Sequence, residues 1–62
     1  RRLNVSQALR KVLSAMEEPM AISAIHAQVE EFTEMPVTGS LATLLIDEGA
    51  IYDQQQRVWF KS

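Results

Sequence analysis

Three helical stripes, a short apolar segment between the first two, and an alternating stretch after a glycine stop predict a mainly helical α+β domain. The order helix–strand–helix–helix–strand–strand is that of a winged helix-turn-helix, with three helices and a small antiparallel sheet closed by a C-terminal hairpin. The pattern is organised around Val37–Phe60. There an apolar helical run (Val37, Leu41, Leu44, Leu45) stops at Gly49, and the residues beyond it alternate as a hairpin does.

In the first helix Val5, Ala8, Leu9, Val12, Leu13 and Met16 form one stripe at i, i+3, i+4, i+7, i+8 and i+11. Asn4 is placed to cap its start, and Gln7 three residues on completes a capping-box pattern. Pro19 cannot continue the helix, so an end by Glu18 is expected. Met20-Ala21-Ile22 is too short for a helix and supplies a short strand. Ser23 is then the expected N-cap of a second helix over Ala24–Phe32, burying Ile25, Val29 and Phe32.

Thr33–Pro36 form the turn, and Pro36 suits the first position of the third helix. Thr38, Gly39, Ser40 and Thr43 make its outward face small. Two readings of Gly39 stand: a glycine in a fraying first turn, or a site of close backbone approach. Gly49 is expected to end the helix in left-handed conformation. In the hairpin, Ile51, Val58 and Phe60 alternate towards the core, and Tyr52, Arg57 and Trp59 point the other way. Gln54-Gln55 is a poor two-residue tip, which leaves a longer tip with shifted register open. The expected core is Val5, Leu9, Val12, Leu13, Met16, Ile22, Ile25, Val29, Phe32, Leu41, Leu44, Leu45, Ile51, Val58 and Phe60.

At 62 residues and 47% hydrophobic, residues 1–62 read as one small domain with enough apolar content for a single core. The absence of cysteine removes disulfides, thiolate nucleophiles and Cys-based zinc sites together. No apolar run approaches the roughly 18 residues of a membrane span. An Arg-Arg start without Met predicts an excised domain, of soluble intracellular origin.

The net charge of −2 hides an uneven distribution. Arg1, Arg2, Arg10 and Lys11 stand at the start, Arg57 and Lys61 at the end, and all eight acids fall between Lys11 and Arg57. Between Lys11 and Arg57 there is no Lys or Arg. Phosphate backbones are bound by neutralisation with such residues, so an acidic middle disfavours nucleic acid and favours a cationic partner.

No catalytic constellation is visible, and an enzyme is not expected. His26 is the sole histidine and reads as a surface or packing residue. Glu17/Glu18 and Glu30/Glu31 are adjacent pairs whose side chains diverge on a helix. No Gly-rich phosphate loop or metal-ligand spacing occurs, so no cofactor or metal is expected. Three functional classes remain. A protein-recognition winged helix, holding a partner segment against Tyr52, Trp59, Asp53 and Glu48, suits the acidic field. The alternative is a DNA-binding winged-helix transcription regulator. It would have to work with Thr38, Ser40 and Thr43 on its third helix, Gln54–Arg57 in its wing and the Arg1-Arg2 end. The third is a purely structural domain, with Tyr52 and Trp59 covering the core from outside.

D-E-G-A-I-Y at Asp47–Tyr52, followed by F-K-S at Phe60–Ser62, resembles the C-terminal winged helix of the middle subunit of replication protein A. This is the eukaryotic single-stranded-DNA-binding trimer, and the family carries E-G-H-I-Y and H-F-K-S in these places. Met35-Pro36-Val37-Thr38 is similar to its approach to the third helix, and Leu3-Asn4-Val5 to its start. Ala50 and Trp59 stand where the family has His, and Gln56, Arg57 and Val58 replace its run of wing aspartates.

The resemblance implies a module with little direct nucleic-acid binding. It recruits DNA replication and repair proteins by docking a short basic amphipathic helix on the hairpin side, and the rest of its parent chain holds the other subunits. It implies nuclear location in a eukaryote and cytoplasmic otherwise. The partner-binding residues expected are Glu48, Ala50, Tyr52, Asp53, Arg57 and Trp59. Tyr52 and Trp59 would give apolar contact, and Glu48 and Asp53 would pair basic residues of the partner.

Overall fold

A computed structural model of the chain describes residues 2–61. Arg1, part of the basic start, and Ser62, the last residue of the F-K-S segment, lie outside the described residues. Among the described residues, three helices are followed by a two-stranded antiparallel sheet: α1 (Val5–Ala15), α2 (Ile22–Thr33), α3 (Leu41–Asp47), β1 (Ile51–Asp53) and β2 (Val58–Phe60).

α1 begins as its sequence dictates. Asn4 Oδ1 accepts from the Gln7 amide at 2.8 Å, and the Asn4 amide donates to Gln7 Oε1 at 3.2 Å. This reciprocal pair satisfies two of the donors that a helix start leaves open. Ala8, Leu9, Val12 and Leu13 are buried from the expected stripe, and Val5 is half-buried. The helix stops at Ala15, short of Glu18. Pro19 has no N–H for the Ala15 carbonyl, and the carboxylates of Glu17 and Glu18 oppose the negative helix end. Met16 turns extended and drops its side chain into the core.

The predicted strand Met20–Ile22 shrinks to a single bridged residue. Met20 N donates to Trp59 O at 2.8 Å, and Trp59 N returns a bond to Met20 O at 2.7 Å. Ala21 is already the N-cap of α2 and has no side-chain cap, so Ser23 lies inside the helix rather than before it. The tertiary bridge, and not a capping hydroxyl, sets where α2 starts. Ile25 and Val29 are fully buried, Phe32 is half-buried, and Ile22, expected in the core, is 40% exposed.

The third helix is shorter than the sequence suggests. Pro36–Gly39 are loop, and Ser40 is the N-cap, its Oγ accepting from the Thr43 amide at 3.4 Å. Gly39 adopts φ +91°, and a Cβ there would meet nothing within 4 Å. It is therefore neither a first-turn residue nor a close approach; the loop needs its positive φ. The loop is pinned to α2, because Val37 N donates to Glu30 Oε2 at 2.6 Å and His26 Nε2 donates to Val37 O at 3.0 Å. His26 thus has a packing role. At the far end Gly49, at φ +87°, closes α3 with the paired bonds Gly49 N to Ile46 O and Ala50 N to Leu45 O.

The hairpin turns through residues 54–57 instead of at Gln54-Gln55, and its register pairs Ile51 with Phe60, Tyr52 with Trp59 and Asp53 with Val58. This reverses the expected facing. Trp59 is 5% exposed and belongs to the core cluster with Ala8, Leu9, Val12, Leu13, Met16, Ile25, Val29 and Leu45. Ile51 is 46% exposed, while Val58 and Phe60 are half-buried. An indole burying roughly 200 Å² at about 25 cal/mol per Å² gains on the order of 5 kcal/mol, and because Val58 and Phe60 stay half-buried the reversal gives up mainly the burial of Ile51, at most about 1.5–3 kcal/mol.

W59A is expected to destabilise the domain by about 3–5 kcal/mol, and I51A by no more than about 0.5 kcal/mol. Urea melts of the two variants check this, and the opposite order would restore the facing suggested by alternation.

Candidate functional site

The hairpin, α3 and the start of α2 leave an open apolar groove between them, of about 590 Å³. Its small residues are Ala21 before α2, Ala42 on α3 and Ala50 in the link to β1. Ile22, Ile46, Tyr52 and Trp59 supply its bulk. Ile46, at 64% exposed, and Tyr52, at 42%, are large apolar groups left in water. Tyr52 rests on Trp59 with ring centroids 4.9 Å apart and planes tilted by 42°. That tilt brings edge towards face, the arrangement aromatic pairs prefer over a flat sandwich. Tyr52 is thereby held in place by a buried neighbour while its outer side stays open.

Of the residues expected from the sequence, the structure brings Ala50, Tyr52, Arg57 and Trp59 together at this groove. Glu48 and Asp53 do not line it. Glu48 caps α3 and faces α1, where its Oε2 lies 3.3 Å from Arg10 Nε beside a smaller cavity lined by Leu13, Ser14 and Lys61. Asp53 is spent on the hairpin loop. Its Oδ1 accepts from the amides of Gln55 at 2.9 Å and Gln56 at 3.3 Å, and its carbonyl accepts from Arg57 N at 2.8 Å. This is the local side-chain turn that Asp favours. The acids expected to pair a basic partner are thus committed elsewhere.

Sequence reasoning missed Ile22 and Ile46. Ile46 carried a signal, since it falls off the Leu41/Leu44/Leu45 stripe and has no core position to fill. Ile22 carried none, because its exposure follows from the early start of α2.

Electrostatics at the groove run opposite to the chain average. None of the eight acids lines it, and Arg57 is the charged residue that does. Arg57 stacks on neither ring; the cation–π contact among the described residues is Lys11 over Phe32 at 5.6 Å. The Arg57 backbone is left-handed, at φ +59°. The hairpin loop needs such a residue to rejoin β2, and glycine or asparagine would supply it with less strain. Among the described residues no three His, Asp or Glu side chains gather as metal ligands.

R57N keeps the loop conformation and relieves part of the left-handed penalty, so it should stabilise the domain by about 0.5–1 kcal/mol. That corresponds to a rise of about 2–8 °C in the thermal midpoint of a domain this small. A fall in midpoint would mean that the guanidinium makes stabilising contacts.

No family model matches the sequence, and neither a curated protein nor a solved structure matches the chain.

Proposed function

We propose that the domain is a winged helix that serves as a protein-docking module, holding one short amphipathic helix in the groove between α2, α3 and the hairpin. The observation that carries this reading is the exposure of Ile22, Ile46 and Tyr52 around one apolar depression on a chain with little surface to spare. A helix presenting apolar residues at i, i+3/i+4 and i+7 fits such a depression. Trp59 and Tyr52 give it the rigid aromatic base that binding centres commonly have. A contact of this size is expected to be weak, on the order of micromolar or about −8 kcal/mol. The winged-helix assignment is supported by the element order and by the Met20–Trp59 bridge, which adds a third backbone partner to the hairpin.

The resemblance over Asp47–Ser62 supports a particular setting, recruitment of replication and repair proteins to a single-stranded-DNA-binding complex. DNA binding as a transcription regulator has less support. α3 carries no Lys or Arg and ends in Asp47, and its preceding loop offers Thr38, Gly39 and Ser40. Such a surface neither neutralises phosphates nor reads base edges well.

A synthetic helix with leucines at i, i+3, i+4 and i+7 should shift the amides of Ile22, Ile46, Ala50, Tyr52 and Trp59 in a labelled sample. I46D should abolish those shifts without unfolding the domain, because the side chain is largely solvated already. Single-stranded and duplex DNA at low salt should leave the spectrum nearly unchanged. Tight DNA binding with a steep salt slope would sink the docking reading and support the regulator.

A further inference from the structure

We infer that the helix received by this groove is acidic where it meets the hairpin: it carries a carboxylate, one turn from its apolar stripe, that pairs with Arg57. The inference rests on the docking reading and specifies the chemistry of its partner.

Charge complementarity is the first ground. The chain as a whole is acidic, and read as an average it favours a cationic partner. The acids nearest the groove in sequence are nevertheless occupied or turned away. Glu48 faces Arg10 across the α1 side, and the Asp53 carboxylate is held over the loop by the amides of Gln55 and Gln56. Asp47, at the end of α3, does not line the groove. A ligand lying on Ile46, Tyr52 and Trp59 therefore meets one formal charge, the Arg57 guanidinium. Among the described residues Arg57 forms no ion pair; Arg10 pairs with Glu48, and His26 Nε2 lies 3.5 Å from Glu30 Oε2. A lysine on the ligand at that point would face a like charge, whereas a carboxylate can accept two parallel N–H bonds from the guanidinium fork.

Backbone conformation is the second ground. Arg57 sits at φ +59°, where glycine or asparagine costs less; the other left-handed non-glycine residue described, Glu34 at φ +57°, closes α2 as its C-cap, a task Arg57 does not have. Its exposed side chain lines the groove in spite of that strain, and strained non-glycine residues cluster where a side chain has a task. The Arg57 amide bond to the Asp53 carbonyl, at 2.8 Å, fixes the loop from which the guanidinium projects.

A displayed library of helical peptides, selected on the 62-residue chain and on its R57N and R57E variants, tests this. Circular dichroism first establishes that both variants keep the helical content of the parent. The pool selected on the parent chain should combine apolar residues at i, i+3/i+4 and i+7 with Asp or Glu beside that stripe. For a chosen binder, changing that acid to Lys should weaken binding to the parent about fivefold, the scale of an exposed ion pair. The same change should strengthen binding to R57E and leave binding to R57N nearly level. A pool enriched in Lys or Arg at that place overturns the acidic partner while leaving docking intact, and so does a charge preference that R57E does not move. A pool without the apolar spacing, or binders indifferent to I46D, overturns the docking reading itself.

Discussion

Two backbone hydrogen bonds between Met20 and Trp59 hold the C-terminal hairpin onto the helices. Much of the remaining geometry depends on them. They seat the Trp59 indole among Leu9, Val12, Ile25 and Val29, which joins the hairpin to the α1–α2 core. They also fix the chain at Met20, so that α2 starts at Ile22 without a capping side chain and leaves Ile22 partly in water. With Trp59 buried, its cross-strand partner Tyr52 necessarily faces the same side and forms one wall of the groove. The bridge therefore creates both the core and the depression beside it. A two-stranded hairpin is marginal in water by itself, and here it gains its stability from this attachment.

What the sequence disclosed divides along physical lines. Local signals were legible: Asn4 with Gln7 at the start of α1, the stripe from Ala8 to Leu13, and Gly49 as the end of α3 each act within one turn of chain. Boundaries set by distant contacts were not. Ser23 is a good capping residue, but the bridge at Met20 places the helix start before it. Pro36 suits a first helical position, yet the Glu30 and His26 contacts to Val37 hold that segment as loop and delay α3 to Leu41. Alternation gave the hairpin two faces, and the expectation that Ile51, Val58 and Phe60 form the buried one is overturned by Trp59. The competition between one indole and the Ile51/Val58/Phe60 set was decided by packing. The candidate site was half legible for the same reason: Ala50, Tyr52, Arg57 and Trp59 converge, whereas Glu48 and Asp53 are consumed by an ion pair and a turn.

The charge distribution shows how far a linear count can mislead about a local surface. Eight acids in the middle of the chain describe a field that acts at long range and falls off within a Debye length. Contact chemistry depends on the few groups that line a groove. There the order is reversed, with a single guanidinium on an apolar rim. On the proposed reading, a negative domain would repel nucleic acid at a distance and still favour a carboxylate at the point of contact. The two effects work over different lengths and need not agree in sign.

The turn at Gly49 has a kinetic consequence. α3 and the hairpin supply opposite walls of the groove, and only Glu48–Ala50 separates them. Because the amides of Gly49 and Ala50 are tied back to Ile46 and Leu45, that elbow has little freedom to open or close. On the docking proposal, a ligand entering the groove would meet walls fixed by this elbow, and most of the ordering entropy of association would fall on the ligand. Encounter would then be governed by diffusion and orientation rather than by a conformational step in the domain, in the ordinary range of about 10⁵–10⁷ M⁻¹s⁻¹. With the micromolar affinity proposed above, release would follow at about 0.1–10 s⁻¹, so an occupant of the groove would be exchanged within seconds rather than retained.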